Sequence, residues 1–178
     1  PRAVTNLQAT KNAPKKIILT WDYAPAEDFS YFKVYRTTSK FLPYTYLAKT
    51  TSNTYEDLIN TNAATRYYRV TAVDKDGLES LKQEEPIVGI TLGAPKTPSI
   101  SASYDGSGVN VSWSAVERAS SYTVYRSGAS EKVFSGISDT GLRDDSVQKG
   151  ASYSYSVVAV DEYGIASDKS SKAEVSIK

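Results

Sequence analysis

Serine hydroxyls are the first candidates for nucleophilic chemistry in this chain, whose 178 residues include no cysteine. A serine becomes nucleophilic when an adjacent base takes its proton, and histidine, the usual base, is also absent. Lysine remains as a base, but the pairs Ser39-Lys40 and Ser171-Lys172 lie in segments with the composition of loops. The sequence therefore predicts that the chain is not an enzyme and contains no catalytic residue.

Carboxylates are the second group of candidates, because clustered Asp and Glu side chains can bind Ca²⁺. The clusters in the chain are Asp74 with Asp76, Glu84-Glu85 and Asp144-Asp145. None of them has the ligand spacing of a calcium loop. Asp57 and Asp144 recur at equivalent positions in the two halves, which favours a role in a turn or cap. We therefore predict no metal site and no cofactor.

Aromatic residues on a loop are the third group, and they suggest binding. The connection from Arg36 to Tyr55 covers 19 positions, against 16 from Arg126 to Leu142 in the second half. The longer connection contains apolar and aromatic residues, which on an exposed loop are typical of a binding site. Two hypotheses stay open, with the first favoured: packing at the joint between the halves, or contact with an external protein. The residues concerned are Lys40, Phe41, Leu42, Tyr44, Tyr163 and Ile165.

A repeat with an offset of 87 positions indicates the domains to which these residues belong. The 13 residues from Tyr68 and the 13 from Tyr155 share seven identical positions, and each copy has the pattern of a strand, a glycine turn and a second strand. The repeat predicts two domains, 1–93 and 94–178, joined by a short proline-containing linker. Each is large enough to bury one small core without disulfides.

Apolar residues alternate at a period of two, which predicts strands with one buried face. Ile17, Leu19 and Trp21 share one face, and the segment from Val109 to Trp113 repeats the pattern. No helical periodicity longer than a turn is present. Many short strands with regular turn signals predict an all-β chain built from β-sandwiches.

The motifs resemble the fibronectin type III domain in both halves. They are a Trp ending the second strand, a Tyr/Phe-x-Val-Tyr-Arg strand, and Tyr-x-Val-x-Ala-Val-Asp followed by Gly. The resemblance implies two tandem seven-stranded, immunoglobulin-like sandwiches, with three strands in one sheet and four in the other. It implies buried roles for Trp21 and Trp113, beside the inward Tyr68 and Tyr155 of the repeat. It also implies a tyrosine corner at Tyr153.

The corner has no direct counterpart in the first half. Arg66 stands at the equivalent position, and Tyr68 is the candidate substitute.

Charge is balanced, with 21 basic and 20 acidic residues, which argues against nucleic acid as a partner. No apolar run is long enough to span a bilayer, so we expect no direct membrane insertion by this segment, and any anchor outside it. We also expect the chain to be a monomer.

The Tyr-Arg and Ala-Val-Asp motifs resemble bacterial members of the family, which implies two settings. The favoured hypothesis is a non-catalytic extracellular binding module, a fragment of a surface lipoprotein adhesin that binds host fibronectin or another matrix protein. The alternative is a passive spacer or accessory segment of a secreted bacterial polysaccharide hydrolase. A carbohydrate-binding module is a third hypothesis, disfavoured because both tryptophans are expected to be buried. Each setting places the protein at the cell surface or outside the cell.

Overall fold

The chain forms two compact units, Pro1–Gly93 and Ala94–Lys178, in a computed structural model that describes residues 1–178. Each unit consists of seven strands. No helix is present that is long and apolar enough to cross a membrane. The two units are described separately below.

The first unit contains two antiparallel sheets. The three-stranded sheet has the order β1-β2-β5 and the four-stranded sheet the order β4-β3-β6-β7. The strands are β1 (Thr5–Ala9), β2 (Lys16–Asp22), β3 (Phe29–Thr37), β4 (Thr45–Thr50), β5 (Thr54–Leu58), β6 (Thr65–Asp74) and β7 (Ile87–Ile90).

The second unit repeats this arrangement, with sheets of order β12-β9-β8 and β11-β10-β13-β14. Its strands are β8 (Ile100–Tyr104), β9 (Val109–Trp113), β10 (Ser121–Gly128), β11 (Lys132–Ile137), β12 (Gly141–Asp144), β13 (Ser152–Val160) and β14 (Ala173–Ser176). The predicted fold class is confirmed: the chain is all-β, with two tandem seven-stranded sandwiches of fibronectin type III type.

Each core lies between the two sheets of its unit. Ile17 and Leu19 are fully buried and Trp21 is 3% exposed, which is the face that the alternation predicted. The Trp21 ring meets Phe32 edge-on at a centroid distance of 5.3 Å. In the second unit Trp113 packs on Tyr122 at 5.5 Å. Tyr68, Tyr153 and Tyr155 are also buried.

The repeated segment is a scaffold whose shared residues each have a structural role. Asp74 Oδ1 accepts hydrogen bonds from the backbone N–H groups of Asp76 and Leu78, at 3.0 and 2.8 Å. Gly77 has a φ of 83°, a left-handed conformation that glycine adopts without steric cost. The Ser80 hydroxyl accepts the N–H of Ala72 at 2.9 Å, at a point where no strand pairs with that side of β6. Asp161, Gly164 and Ser167 repeat these three roles.

Strand β11 was not predicted from the alternation of apolar residues. Its pairing with β10 shifts register between Tyr122 and Val124, and Gly136 within it has a φ of 67°. Such an irregularity interrupts the period of two on which strand prediction depends.

We predict that Trp21→Ala and Trp113→Ala each lower the free energy of unfolding of their own unit by about 3–5 kcal/mol, because each leaves a core cavity. Denaturant unfolding followed by far-UV circular dichroism measures the loss. Leu81→Ala is the control, since that side chain is 82% exposed and its removal should change stability by less than about 0.5 kcal/mol. A loss below about 1 kcal/mol for either tryptophan would contradict its core position.

Candidate functional site

A buried aspartate joins the two sheets within each unit. Asp57, on β5 of the three-stranded sheet, accepts a hydrogen bond from Arg36 Nη1 at 2.8 Å and from the Tyr68 hydroxyl at 2.6 Å. Both donors lie on the four-stranded sheet, on β3 and β6. Asp57 is 4% exposed.

The second unit contains the same trio. Arg126 Nη1 and the Tyr155 hydroxyl donate to Asp144 Oδ2 at 2.8 and 2.7 Å. Asp144 Oδ1 also accepts the N–H and the hydroxyl of Ser146, at 3.0 and 2.6 Å. The turn role predicted for Asp144 is therefore one part of its function, while Asp57 acts through the inter-sheet bonds.

These hydrogen bonds shift the pKa values of Asp144 and of the two tyrosines. Burial acts to raise the pKa of Asp144, but the bonds from Ser146, Tyr155 and Arg126 outweigh it and lower this pKa to about 2. Burial, reinforced by the carboxylate, raises the pKa of Tyr68 and of Tyr155. Asp144 is thus a charged acceptor held by donors within the protein, an arrangement that stabilises the fold.

The tyrosine corner is present in the second unit and has a different equivalent in the first. The Tyr153 hydroxyl accepts the backbone N–H of Gln148 at 3.1 Å, which fastens the loop between β12 and β13. Tyr68 does not substitute for it, because its hydroxyl donates to Asp57 as Tyr155 donates to Asp144. The corresponding loop is held instead by Thr91, whose hydroxyl donates to the carbonyl of Thr61 at 2.6 Å.

The aromatic segment singled out in the sequence lies in the loop between β3 and β4. Phe41 is 86% exposed and Leu42 is 53% exposed, and Lys40 Nζ lies 5.3 Å from the Phe41 ring. Tyr44 is only partly exposed, because the Arg69 guanidinium covers its ring at 4.8 Å. In the second unit Tyr163 is half-exposed, whereas Ile165 is 2% exposed and is therefore inaccessible to an external partner.

The outer face of the four-stranded sheet in the first unit is a network centred on a carboxylate. Glu79 accepts the Tyr35 hydroxyl at 2.5 Å and the Thr71 hydroxyl at 2.7 Å, and forms a salt bridge with Lys33 at 3.0 Å. Burial acts to raise the pKa of Glu79, but these bonds outweigh it and lower the pKa to about 2. Lys82 lies over the Tyr35 ring at 4.2 Å.

The corresponding face of the second unit contains an open groove. Tyr125 occupies the position of Tyr35, and Lys169 lies over its ring at 4.1 Å, as Lys82 does in the first unit. The groove measures about 250 Å³, and its walls include Lys132 and Lys172. The groove depends on β11, which the alternation pattern does not reveal.

Neither unit brings together the side chains of a metal site. No group of three or more His, Cys, Asp or Glu side chains is placed to hold a metal ion. The lysines beside Ser39 and Ser171 are Lys40, on the exposed loop, and Lys172, in the wall of the groove. The features available for function are therefore exposed surfaces: the loop at Phe41 and the groove at Tyr125.

We predict that the second unit loses about 2 kcal/mol of stability as the pH falls from about 4 to about 2. The pKa of Asp144 lies near 3.8 in an unfolded chain and at about 2 in the folded protein, so its contribution is complete above about pH 4 and is lost on acidification. Ser146→Ala removes a bond that lowers this pKa, so the loss should begin at higher pH. Urea unfolding by fluorescence in a Trp21→Phe background reports Trp113 alone.

Asp144→Asn should remove the part of this acid dependence that comes from Asp144, and should leave the part that comes from Asp105, whose pKa is lowered by its hydrogen bonds from Arg143. It should also cost about 3–5 kcal/mol at pH 7, because Arg126 is left buried without its counter-ion. The exposed Asp139→Asn is the control for the chemistry of the substitution, with a change below about 0.5 kcal/mol. An acid profile of Ser146→Ala that matches the parent would refute the assignment to Asp144.

Comparison with known proteins gives a sequence relationship to part of an enzyme. No family model matches the chain. A segment of amylopullulanase from Thermoanaerobacterium saccharolyticum is 39% identical over 87 residues, or 46% of this chain and 7% of the enzyme. Amylopullulanase from Thermoanaerobacter thermohydrosulfuricus is 37% identical over 91 residues, or 48% of this chain and 6% of the enzyme. The matched segment of the chain therefore spans 6–7% of the length of these relatives.

Two solved structures also resemble it. A Fn3-like protein from Clostridium thermocellum is 32% identical, with a TM-score of 0.43, over 48% of this chain and 96% of that chain. The FN1-FN3 domains of chicken CNTN1 are 13% identical, with a TM-score of 0.47, over 100% of this chain and 66% of that chain. The strand order itself shows the fold: the chain is a tandem of fibronectin type III-like sandwiches, similar in sequence over about half its length to segments of amylopullulanases.

Proposed function

We propose that this chain is a non-catalytic accessory segment of a secreted bacterial enzyme that degrades polysaccharides. The observation that carries the proposal is the sequence match to amylopullulanases, at 37–39% identity over 81–91 residues. That length is close to one unit of this chain, since the first unit comprises Pro1–Gly93. A module of this kind is therefore expected beside, and separate from, a catalytic domain.

The arrangement of the side chains supports a non-catalytic role. The buried aspartates accept hydrogen bonds from donors inside the protein, such as the hydroxyls of Tyr68 and Tyr155. The chain contains no histidine to activate a serine and no cysteine. Stable domains of this kind separate or position other parts of an enzyme without taking part in its chemistry.

The sequence matches favour this role over the matrix-binding adhesin that the motif resemblance led us to favour. The adhesin hypothesis requires an accessible partner surface, for which the exposed Phe41 loop is the candidate in the first unit. Exposure alone does not select a matrix protein as the partner, and the sequence relatives described above are amylopullulanases. Fibronectin binding therefore serves as the competing outcome in the test.

We predict that the reading frame carrying this segment also encodes a carbohydrate-hydrolysing domain, and that the purified 178-residue chain releases no reducing sugar from pullulan or starch. Sequencing of the frame and a reducing-sugar assay check the two parts. Biolayer interferometry against immobilised fibronectin is the matched comparison, with Phe41→Ser as the control variant. Saturable fibronectin binding that Phe41→Ser abolishes, in a frame without a hydrolase domain, would overturn the proposal in favour of the adhesin.

A further inference from the structure

The groove on the outer face of the second unit is basic, although the unit as a whole is not. Residues 94–178 contain nine basic and ten acidic residues. Of the six lysines in this range, Lys132, Lys169 and Lys172 line this one groove. Glu131 is the single carboxylate in its wall. The positive charge is therefore concentrated locally within a slightly acidic domain, which directs an anion to this place.

The lysines of the groove are not neutralised by the protein. Lys169 and Lys172 form no salt bridge, whereas Lys33 on the first unit is paired with Glu79. Lys132 borders the groove, but its Nζ donates to the Ser146 hydroxyl at 3.2 Å and lies over the Phe134 ring, on the side of the sheet that faces Asp144. Arg126, which also borders the groove, is neutralised by Asp144, so neither of these two cations contributes to the charge of the groove.

Comparison with the first unit shows that specific substitutions produce this charge. The repeat offset places Ala166 at the position of Glu79, so the carboxylate at the centre of the first unit's network is missing. Gln83 and Ser170 are equivalent residues, since each bonds to a backbone N–H of the neighbouring strand. They are followed by Glu84-Glu85 in the first unit and by Ser171-Lys172 in the second.

The same differences open the groove and free a hydroxyl. Val133 pairs with Tyr125 where the larger Tyr46 pairs with Tyr35, and the smaller side chain leaves space above the sheet. The Tyr125 hydroxyl has no hydrogen-bond partner within the chain, while that of Tyr35 is bonded to Glu79. The groove therefore combines two cations, Lys169 and Lys172, with the hydroxyls of Tyr125, Ser127 and Ser156.

We propose that this groove binds an anionic polysaccharide, with the lysines pairing with its carboxylate or phosphate groups. Ammonium groups serve as point charges for either anion, and the hydroxyls of the wall are suited to hydrogen-bond the sugar hydroxyls beside it. The choice of a polysaccharide rests on the proposed function; the choice of an anion rests on the groove alone. The second unit is thereby a binding module as well as an accessory segment, and the first unit, with Glu79 in place, is not.

Isothermal titration calorimetry of the full chain tests this with polygalacturonate, which carries carboxylates, a phosphomannan, which carries phosphates, and neutral pullulan. We expect saturable binding of at least one anionic polymer, weakened by added salt, and none of pullulan. The polymer that binds identifies the anion. The double substitution Lys169→Ala with Lys172→Ala should weaken binding at least tenfold, a loss consistent with removal of two charge contacts.

Two further variants separate this groove from general surface charge. Ala166→Glu introduces the carboxylate of the first unit at an exposed position, and we expect it to abolish binding while leaving the circular dichroism spectrum unchanged. Lys82→Ala, the counterpart of Lys169 in the first unit, should leave binding unchanged. No binding of either anionic polymer, or an equal loss in Lys82→Ala, would overturn the inference. A reading frame without a hydrolase would overturn only the proposed function.

Discussion

One buried carboxylate in each unit holds two sheets together, and much of the remaining structure is arranged around it. Asp57 and Asp144 each lie on the smaller sheet and receive an arginine and a tyrosine from the larger one. A charge in this position is costly unless every acceptor site is filled, so the donors must be placed accurately. The register of the two sheets is thereby specified by a polar contact, which an apolar core alone would define less sharply.

This constraint explains why the repeat contains the residues that it does. Tyr68 and Tyr155 begin their copies because each places a hydroxyl on its aspartate. The valines and alanines that follow are buried, and the final Asp, Gly and Ser build a turn and complete the bonds of a strand edge. The shared positions of the repeat therefore correspond to a folding unit, and function must be sought where the copies differ.

Periodicity and repetition were sufficient to predict both sandwiches, because alternating burial and glycine turns are local signals. The inter-sheet trio was not predictable in this way, since 21 positions separate Arg36 from Asp57 and nothing local links them. The missing corner at Arg66 was visible as a gap, but its replacement by Thr91 depends on contacts across 30 positions. The basic groove requires Val133, on the irregular strand β11, to lie opposite Tyr125 and beside Lys169 and Lys172, which only the fold brings about.

The side-chain bonds beside the repeat turn also bear on how such modules tolerate being joined in series. Ser80 and Gln83 satisfy backbone groups of β6 that would otherwise form an open strand edge, and Ser167 and Ser170 do so for β13. Neighbouring domains with similar sequences are present at high local concentration while they fold, and unpaired edges are where they would associate wrongly. Where its own side chains occupy these backbone groups, the edge of β6 or β13 offers no template to a strand of an adjoining copy.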